Sequence, residues 1–496
     1  MTDRPGESMI RRLESATAPE TLAGAPAFIA ALRRDYLGYL VSLGLLNLGG
    51  LLLLPLATAY LSPAELGLYG LVETAHLQGV TFSLLGLKFA YLYYYAHIPA
   101  DQRPAMFGTT LLLSGTASLL AGIVLWALFD TAAVMQRFDS APLPQAWLML
   151  PLMLTGATLT VLLTELRAAR QVWLSGAIAI LQLAVWLLLS ILLVGHLGTG
   201  LPGLLLAQAA AGGLACIAAF ACIARRLQFR WQPRLQWQLL RYGTPMMAGL
   251  VLRYSLDTLS RFLLAAFVSI EAAGIFMICM RVTLLFESLL ALPFFMAWGG
   301  LVHHALRQSA AAVIVGRVTG IILVSSGLLV LIMLALQPWL FQLLAHAPMP
   351  DVAPLFSLLL LARAVQLVKS PLTSGILVTG RTGWSTTNSL LALVVFCLLC
   401  YPASRLWEAA GMAAALLVAQ SLATAWLVAE AWRHCRPQLD SSSLLCAALG
   451  GGGAILALLP GYNPVMVALP LAAALAIALW MWRHSLRTVP DENGLS

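Results

Sequence analysis

Apolar residues run along this chain in stretches too long for the core of a soluble domain. A helix needs about 20 such residues to cross the hydrocarbon core of a bilayer. Runs of that kind lie near 36–60, 67–95, 105–129, 146–166, 171–194, 201–224, 242–268, 272–302, 311–337, 353–378, 384–403, 407–431, 442–459 and 464–482. They predict an all-α, polytopic membrane protein with about 14 transmembrane helices. In lipid only a helix or a closed barrel satisfies its own backbone polar groups, and runs this long match a spanning helix. The intervening polar stretches are short. The longest are FDTAAVMQRFDSAPLPQ and RRLQFRWQPRLQWQLL, which leaves no room for a soluble catalytic domain. The second divides the first 12 spans into equal halves. The expected organisation is a tail over 1–35, a first lobe over 36–226, a basic linker over 227–241, a second lobe over 242–433, and two additional helices with a tail over 434–496.

Composition agrees with the pattern. Of 496 residues, 60% are hydrophobic and 10% charged, against about 25% charged in a soluble domain. Mean hydropathy is +0.88. The net charge of +8 raises the question of nucleic acid, and the placement of the charges answers it. If the first tail is cytoplasmic, the cytoplasmic segments hold Arg4, Arg11, Arg12, Arg33 and Arg34; Arg103; Arg167 and Arg170; Arg225, Arg226, Arg230, Arg234 and Arg241; Arg307; Arg381; Arg433 and Arg436; Arg483 and Arg487. The opposite side holds Arg137 and Arg405. This is the positive-inside distribution. It places both termini in the cytoplasm and leaves no basic face for nucleic acid. The linker reads as an interfacial amphipathic segment in contact with membrane lipid, with a docking site for anionic lipid as the sharper alternative. The seven Cys are scattered, mostly through apolar runs, and read as packing, so no metal or other cofactor is expected. The first 35 or so residues show no early apolar core with a cleavage site, so no signal peptide is expected.

An internal repeat supports two lobes. LSPAELGLYGLV from Leu61 and VSIEAAGIFMIC from Val268 align without gaps, matching Ser62 with Ser269, Gly67 with Gly274 and Tyr69 with Phe276. An acidic residue, Glu65 or Glu271, sits in each turn, where a helix start favours negative charge. The copies lie six spans apart, so the repeat is parallel, with its axis along the membrane normal. Lobes so related enclose a central cavity and can open it to either side by rocking.

These residues also carry a resemblance. LLPLATAYLSPAELGLYGLV, with Pro55 in the first span, and the YGTP of Tyr242–Pro245 leading on to AAGIF, resemble the starts of the two halves of polysaccharide-exporting (Wzx-type) flippases in the multidrug/oligosaccharidyl-lipid/polysaccharide superfamily. The resemblance implies two six-helix lobes with two further helices. It also implies a non-enzymatic task in the bacterial inner membrane: flipping undecaprenyl-diphosphate-linked oligosaccharide from the cytoplasmic to the periplasmic leaflet by alternating access. The expected partners are that lipid-linked oligosaccharide, membrane lipids and polysaccharide polymerase machinery.

Charges inside spans supply the candidate chemistry. Arg253, Asp257 and Arg261 repeat every four residues in the seventh span, one stripe about 12 Å long. Each costs roughly 2.5–3.5 kcal/mol at the bilayer centre, so the stripe must face protein or water. Two readings stand. In one, Asp257 neutralises both Arg neighbours as a ladder that glues the lobes. In the other, the stripe lines a hydrated cationic lumen. Arg281 and Glu287 in the eighth span, Arg317 in the ninth and Arg363 in the tenth join it as candidate substrate-binding residues. Lys88 and Lys369 are expected to snorkel to the cytoplasm. The interior acids are Glu73, Asp257 and Glu287, fewer than the basic residues. A pyrophosphate leaving water requires such a surplus, and arginine offers it a planar fork. Pro55, Pro293 and Pro371 are expected to bend their helices. The run YLYYYAH reads as an interfacial aromatic cluster, with sugar stacking as the alternative. His76 beside Glu73 could relay protons.

Rival functions are a cation-coupled drug exporter of the same superfamily, which calls for an acid-rich cavity, and a membrane glycosyltransferase or polymerase. The enzymes typically carry an acidic motif in the first outer loop or a large outer loop. The first outer loop here is LSPAE, and no nucleophile–base pair, metal-ligand cluster or phosphate-cradling loop is visible.

Overall fold

The computed structural model describes residues 25–40, 45–99, 101–131, 135–136, 145–224, 233–307, 311–345, 352–379, 383–459 and 462–487. The far termini, the linker residues 225–232, Arg137 and Arg381 lie outside them. All regular structure among the described residues is helical.

The first lobe comprises α2 (Leu45–Tyr60), α3 (Pro63–Ser83), α4 (Leu87–His97), α5 (Arg103–Asp130), α6 (Met149–Ala168), α7 (Val172–Ser190) and α8 (Gly200–Ile223). It is preceded by α1 (Ala25–Tyr39). The second lobe comprises α9 (Pro233–Phe267), α10 (Ile270–Phe286), α11 (Leu292–Arg307), α12 (Ala311–Ala335), α13 (Gln337–Ala345), α14 (Ala353–Leu372) and α15 (Gly383–Ala431). Outside it lie α16 (Ser441–Leu456) and α17 (Ala468–Arg487). α15 holds two predicted spans: Trp407 and Glu408 have non-helical backbone angles, and the chain reverses there. The helices therefore fall on the predicted apolar runs. Three segments differ. Helix α9 already begins at Pro233, inside the expected linker 227–241, and α13 covers Gln337–Ala345, mostly an expected gap between spans. Helix α1 passes through position 35, where the sequence places the end of a tail.

Helix starts explain the repeat. Before α3, Ser62 Oγ accepts the Glu65 N–H, and Glu65 Oε2 accepts the Ser62 N–H at 2.9 Å, a reciprocal capping box. Before α10, Ser269 Oγ accepts the Ala272 N–H at 3.0 Å. The two repeat copies also meet. A Cβ on Gly274 would lie 2.2 Å from the Pro63 carbonyl oxygen and 3.0 Å from the Gly67 N, and one on Gly67 would lie 2.0 Å from the Ile270 carbonyl oxygen. The matched glycines let the lobes approach closely at this end. Toward the other end, α3 breaks at Leu85 and Gly86, both with positive φ, and Gly86 packs on Gly243 of the YGTP segment.

Proline acts differently at each site. Pro293 follows a π turn, Glu287–Ala291, that separates α10 from α11. Pro55 lies within α2. Pro371 is one residue from the end of α14, so it marks a terminus. The outer helices pack as expected from their small residues: Gly450 of α16 backs onto Gly327 of α12, and Gly453 onto Leu331, while Gly451 and Gly452 meet open space. The tyrosine run is divided: Leu92 and Tyr93 are exposed and Tyr94 and Tyr95 half-buried. Tyr91 is buried and donates to Glu165, and Tyr93 stacks on Tyr242 with ring centroids 4.7 Å apart.

Candidate functional site

The interior charges gather where α3 of the first lobe meets α9, α10 and α14 of the second. Counting about 1.5 Å per residue, Glu73 lies about 15 Å along α3, Arg281 about 16 Å along α10, and Arg363 about 15 Å along α14. Asp257 lies about 15 Å back from the Phe267 end of α9 by the same rise. Each of the four thus lies about half of a roughly 30 Å hydrocarbon thickness from an end of its helix.

Two groups form. In one, Arg281 Nη2 lies 2.5 Å from Glu73 Oε1, with the Arg281 guanidinium over the Tyr69 ring at 5.6 Å. Beside it, Arg261 donates to the Thr74 hydroxyl. In the other, Arg363 Nη1 lies 2.8 Å from Glu287 Oε1 and 3.4 Å from Asp257 Oδ2, and Arg363 Nη2 lies 3.5 Å from Met280 Sδ. Met280 and Arg281 are neighbours on α10, so the groups touch. The first spans the lobes; the second lies within one.

Among the described residues, Asp257 and Arg261 do not pair with each other. Asp257 and Arg261 are on the expected face, but each turns to another helix: Asp257 to Arg363, Arg261 to Thr74. The side chain of Arg253 lies outside the described residues. Arg317 stands apart from the cluster and is exposed on α12. Lys369 donates to Asn388 Oδ1 at 3.2 Å, and Asn388 in turn donates to the Ala423 carbonyl at 2.6 Å. That tie holds it between α14 and α15, where the sequence suggested a side chain snorkelling to the cytoplasm. His76 is buried, with its Nδ1 unpartnered among the described residues.

The pairing changes the charge balance. Three arginines (261, 281, 363) meet three acids (73, 257, 287), so the described cluster is close to neutral. A buried guanidinium without a partner is heavily penalised, and resident carboxylates offset that cost. In each pair the carboxylate is the more accessible member: side-chain exposure is 17% for Glu73 against 8% for Arg281, and 30% for Asp257 and 34% for Glu287 against 11% for Arg363. Arg261 is the exception. Among the described residues it forms no ion pair; its Nη1 meets a neutral hydroxyl and its buried Nε has no acceptor. Thr74 and Tyr69, which frame this group, carry no charge; the sequence marked Tyr69 as a repeat position matched to Phe276 but not as part of a site, and gave no signal for Thr74. Glu73 was visible as an interior acid, but not as the partner of Arg281.

Residues 33–299 match the family described as Polysaccharide biosynthesis protein. No curated protein sequence matches the chain. Among solved structures, the fold is similar to the lipid II flippase MurJ in an inward closed conformation, with a TM-score of 0.71 at 10% identity, covering 91% of this chain and 100% of that one. It is also similar to an inward-facing multidrug resistance MATE family transporter, with a TM-score of 0.64 at 14% identity, covering 78% of this chain and 94% of that one. A Vibrio cholerae MATE transporter gives a TM-score of 0.56 at 16% identity, covering 82% of this chain and 97% of that one. At such identities the likeness concerns the fold alone.

Proposed function

This chain belongs to the polysaccharide biosynthesis protein family, and from that premise we propose that it is a flippase for undecaprenyl-diphosphate-linked oligosaccharide. It moves this lipid from the cytoplasmic to the periplasmic leaflet of the bacterial inner membrane by alternating access, for exopolysaccharide or O-antigen export. Both termini are cytoplasmic on this reading, which the Arg distribution supports. The delivered oligosaccharide then serves polysaccharide polymerase machinery. The prenyl tail stays in lipid while the head group crosses between the lobes, and no covalent bond changes.

The observation that carries the reading is Arg261. It lies at the lobe boundary, deep in the bundle, with donors to spare and no carboxylate partner among the described residues. A guanidinium so placed favours an anionic group that brings its own charge, and a diphosphate matches its fork. Arg281 and Arg363 can join by exchanging a resident carboxylate for a phosphate oxygen, which holds the charge balance nearly constant as the head group moves. Arg253 shares the stripe and is proposed with them; Asp257, Glu287 and Glu73 are the counter-ions exchanged. The glycine contacts fit the rocking: they can part and close again without repacking large side chains.

One observation favours a second reading. Asp257 and Glu287 are more accessible than Arg363, as a cation-coupled multidrug exporter would require. Proteoliposomes separate the two. The flippase reading expects the purified protein to translocate a fluorescent undecaprenyl-diphosphate-linked sugar and not a lipophilic cationic dye. Transport of the dye alone would overturn it.

A further inference from the structure

Helix α1 precedes the first lobe, yet it packs on the second. Phe28, Leu32 and Tyr36 recur every four residues and so share one face. Phe28 is fully buried and meets Trp298 of α11 edge-on, with ring centroids 6.3 Å apart, and Trp298 stacks in turn on Phe294 at 6.1 Å. Leu32 is buried, while Arg33 and Arg34 are exposed on the other side. The stripe ends in a polar contact: Tyr36 Oη donates to the Leu289 carbonyl oxygen at 2.5 Å.

That carbonyl is a particular one. In a regular helix it would accept from the residue four positions on. That residue is Pro293, which has no N–H to give. Leu289 also lies inside the π turn Glu287–Ala291, a widened turn of the kind that often marks functional sites. The first residue of this turn, Glu287, holds Arg363 at 2.8 Å. A hydroxyl from outside the lobe thus bonds to a carbonyl of the turn that presents one of the site's counter-ions.

We infer that Tyr36 is a positioning residue for the transport site. Its hydroxyl holds the Leu289 carbonyl and fixes the widened turn in the register that aims Glu287 at Arg363. Through this bond the segment leading into the first lobe acts on the charge pair of the second. The transport consequence rests on the proposed flippase reading; the positioning itself does not.

Two measurements test it. The first needs no substrate. With the native cysteines replaced, a Glu287→Cys, Arg363→Cys protein is expected to cross-link several-fold more slowly when Tyr36→Phe is added, because the turn no longer holds its register. An unchanged cross-linking rate overturns the inference. The second is flipping of the fluorescent undecaprenyl-diphosphate-linked sugar. Tyr36→Phe keeps the ring and should leave the melting temperature near the parent value while slowing flipping several-fold. In a Glu287→Gln background it should add no further loss, because the group it positions is already neutral. A packing role would instead lower the melting temperature and slow flipping by the same factor in both backgrounds, and that result also overturns the inference. If Glu287→Gln alone leaves flipping intact, the reading of the site fails together with the transport consequence. If Glu287→Gln slows flipping and Tyr36→Phe does not, only the inference on Tyr36 fails.

Discussion

Arg281 of the second lobe and Glu73 of the first stand 2.5 Å apart although 208 residues separate them in sequence. The Arg281 guanidinium is largely buried, so its charge has left water. Removing Glu73 would leave that charge without its partner, a loss of about 3–5 kcal/mol in comparable buried pairs. Glu73→Ala should therefore lower the melting temperature and the protein level, and Glu73→Ala with Arg281→Met should recover much of both. A single substitution that leaves stability untouched would show that the pair does not hold the lobes.

Arg363 has two acids where Arg281 has one. Asp257→Ala leaves Glu287 at 2.8 Å, and Glu287→Ala leaves Asp257 at 3.4 Å. Each single variant should fold to near-normal levels. The double variant should lose far more than the sum of the two, because only then is the guanidinium stranded. Additive losses would mean that the two carboxylates do not share Arg363.

Topology is testable by labelling. Cysteines placed at Ser441 and Ser485 should be reached only by reagents that enter the cytoplasm, and one placed at Asn463 should react from outside. Outside labelling at Ser485 would make the number of spans odd and reverse the side to which each lobe opens.

Much of the fold is legible in the chain because the membrane imposes a simple rule. Long apolar runs must be helices, and Arg placement orients them, so Ala311–Ala335 or Gly200–Ile223 can be read almost residue by residue. The repeat is legible too, since Ser62 and Ser269 cap equivalent helices and the matched Gly67 and Gly274 touch. Partner choice is not legible. The spacing of Arg253, Asp257 and Arg261 fixes one face of α9, but it does not say which helix that face meets. Asp257 turns to Arg363, 106 residues away, and Arg261 to Thr74, 187 residues away. Those outcomes depend on how helices from both lobes pack. The α1 contact was missed for a different reason. Arg33, Arg34 and Asp35 mask the stripe Phe28, Leu32 and Tyr36 in any sum over the segment, and only the four-residue period reveals it.

Arg261 forms no ion pair among the described residues, so an anionic head group is its expected partner, and flipping by Arg261 variants measures this most directly. In proteoliposomes carrying the fluorescent undecaprenyl-diphosphate-linked sugar, Arg261→Ala is expected to insert and melt close to the parent protein, since no ion pair among the described residues is broken, and to lose most of its flipping. Arg261→Lys is expected to recover part of the rate, because the point charge remains while the bidentate fork is lost. Flipping at the parent rate by a stable Arg261→Ala protein would contradict the account.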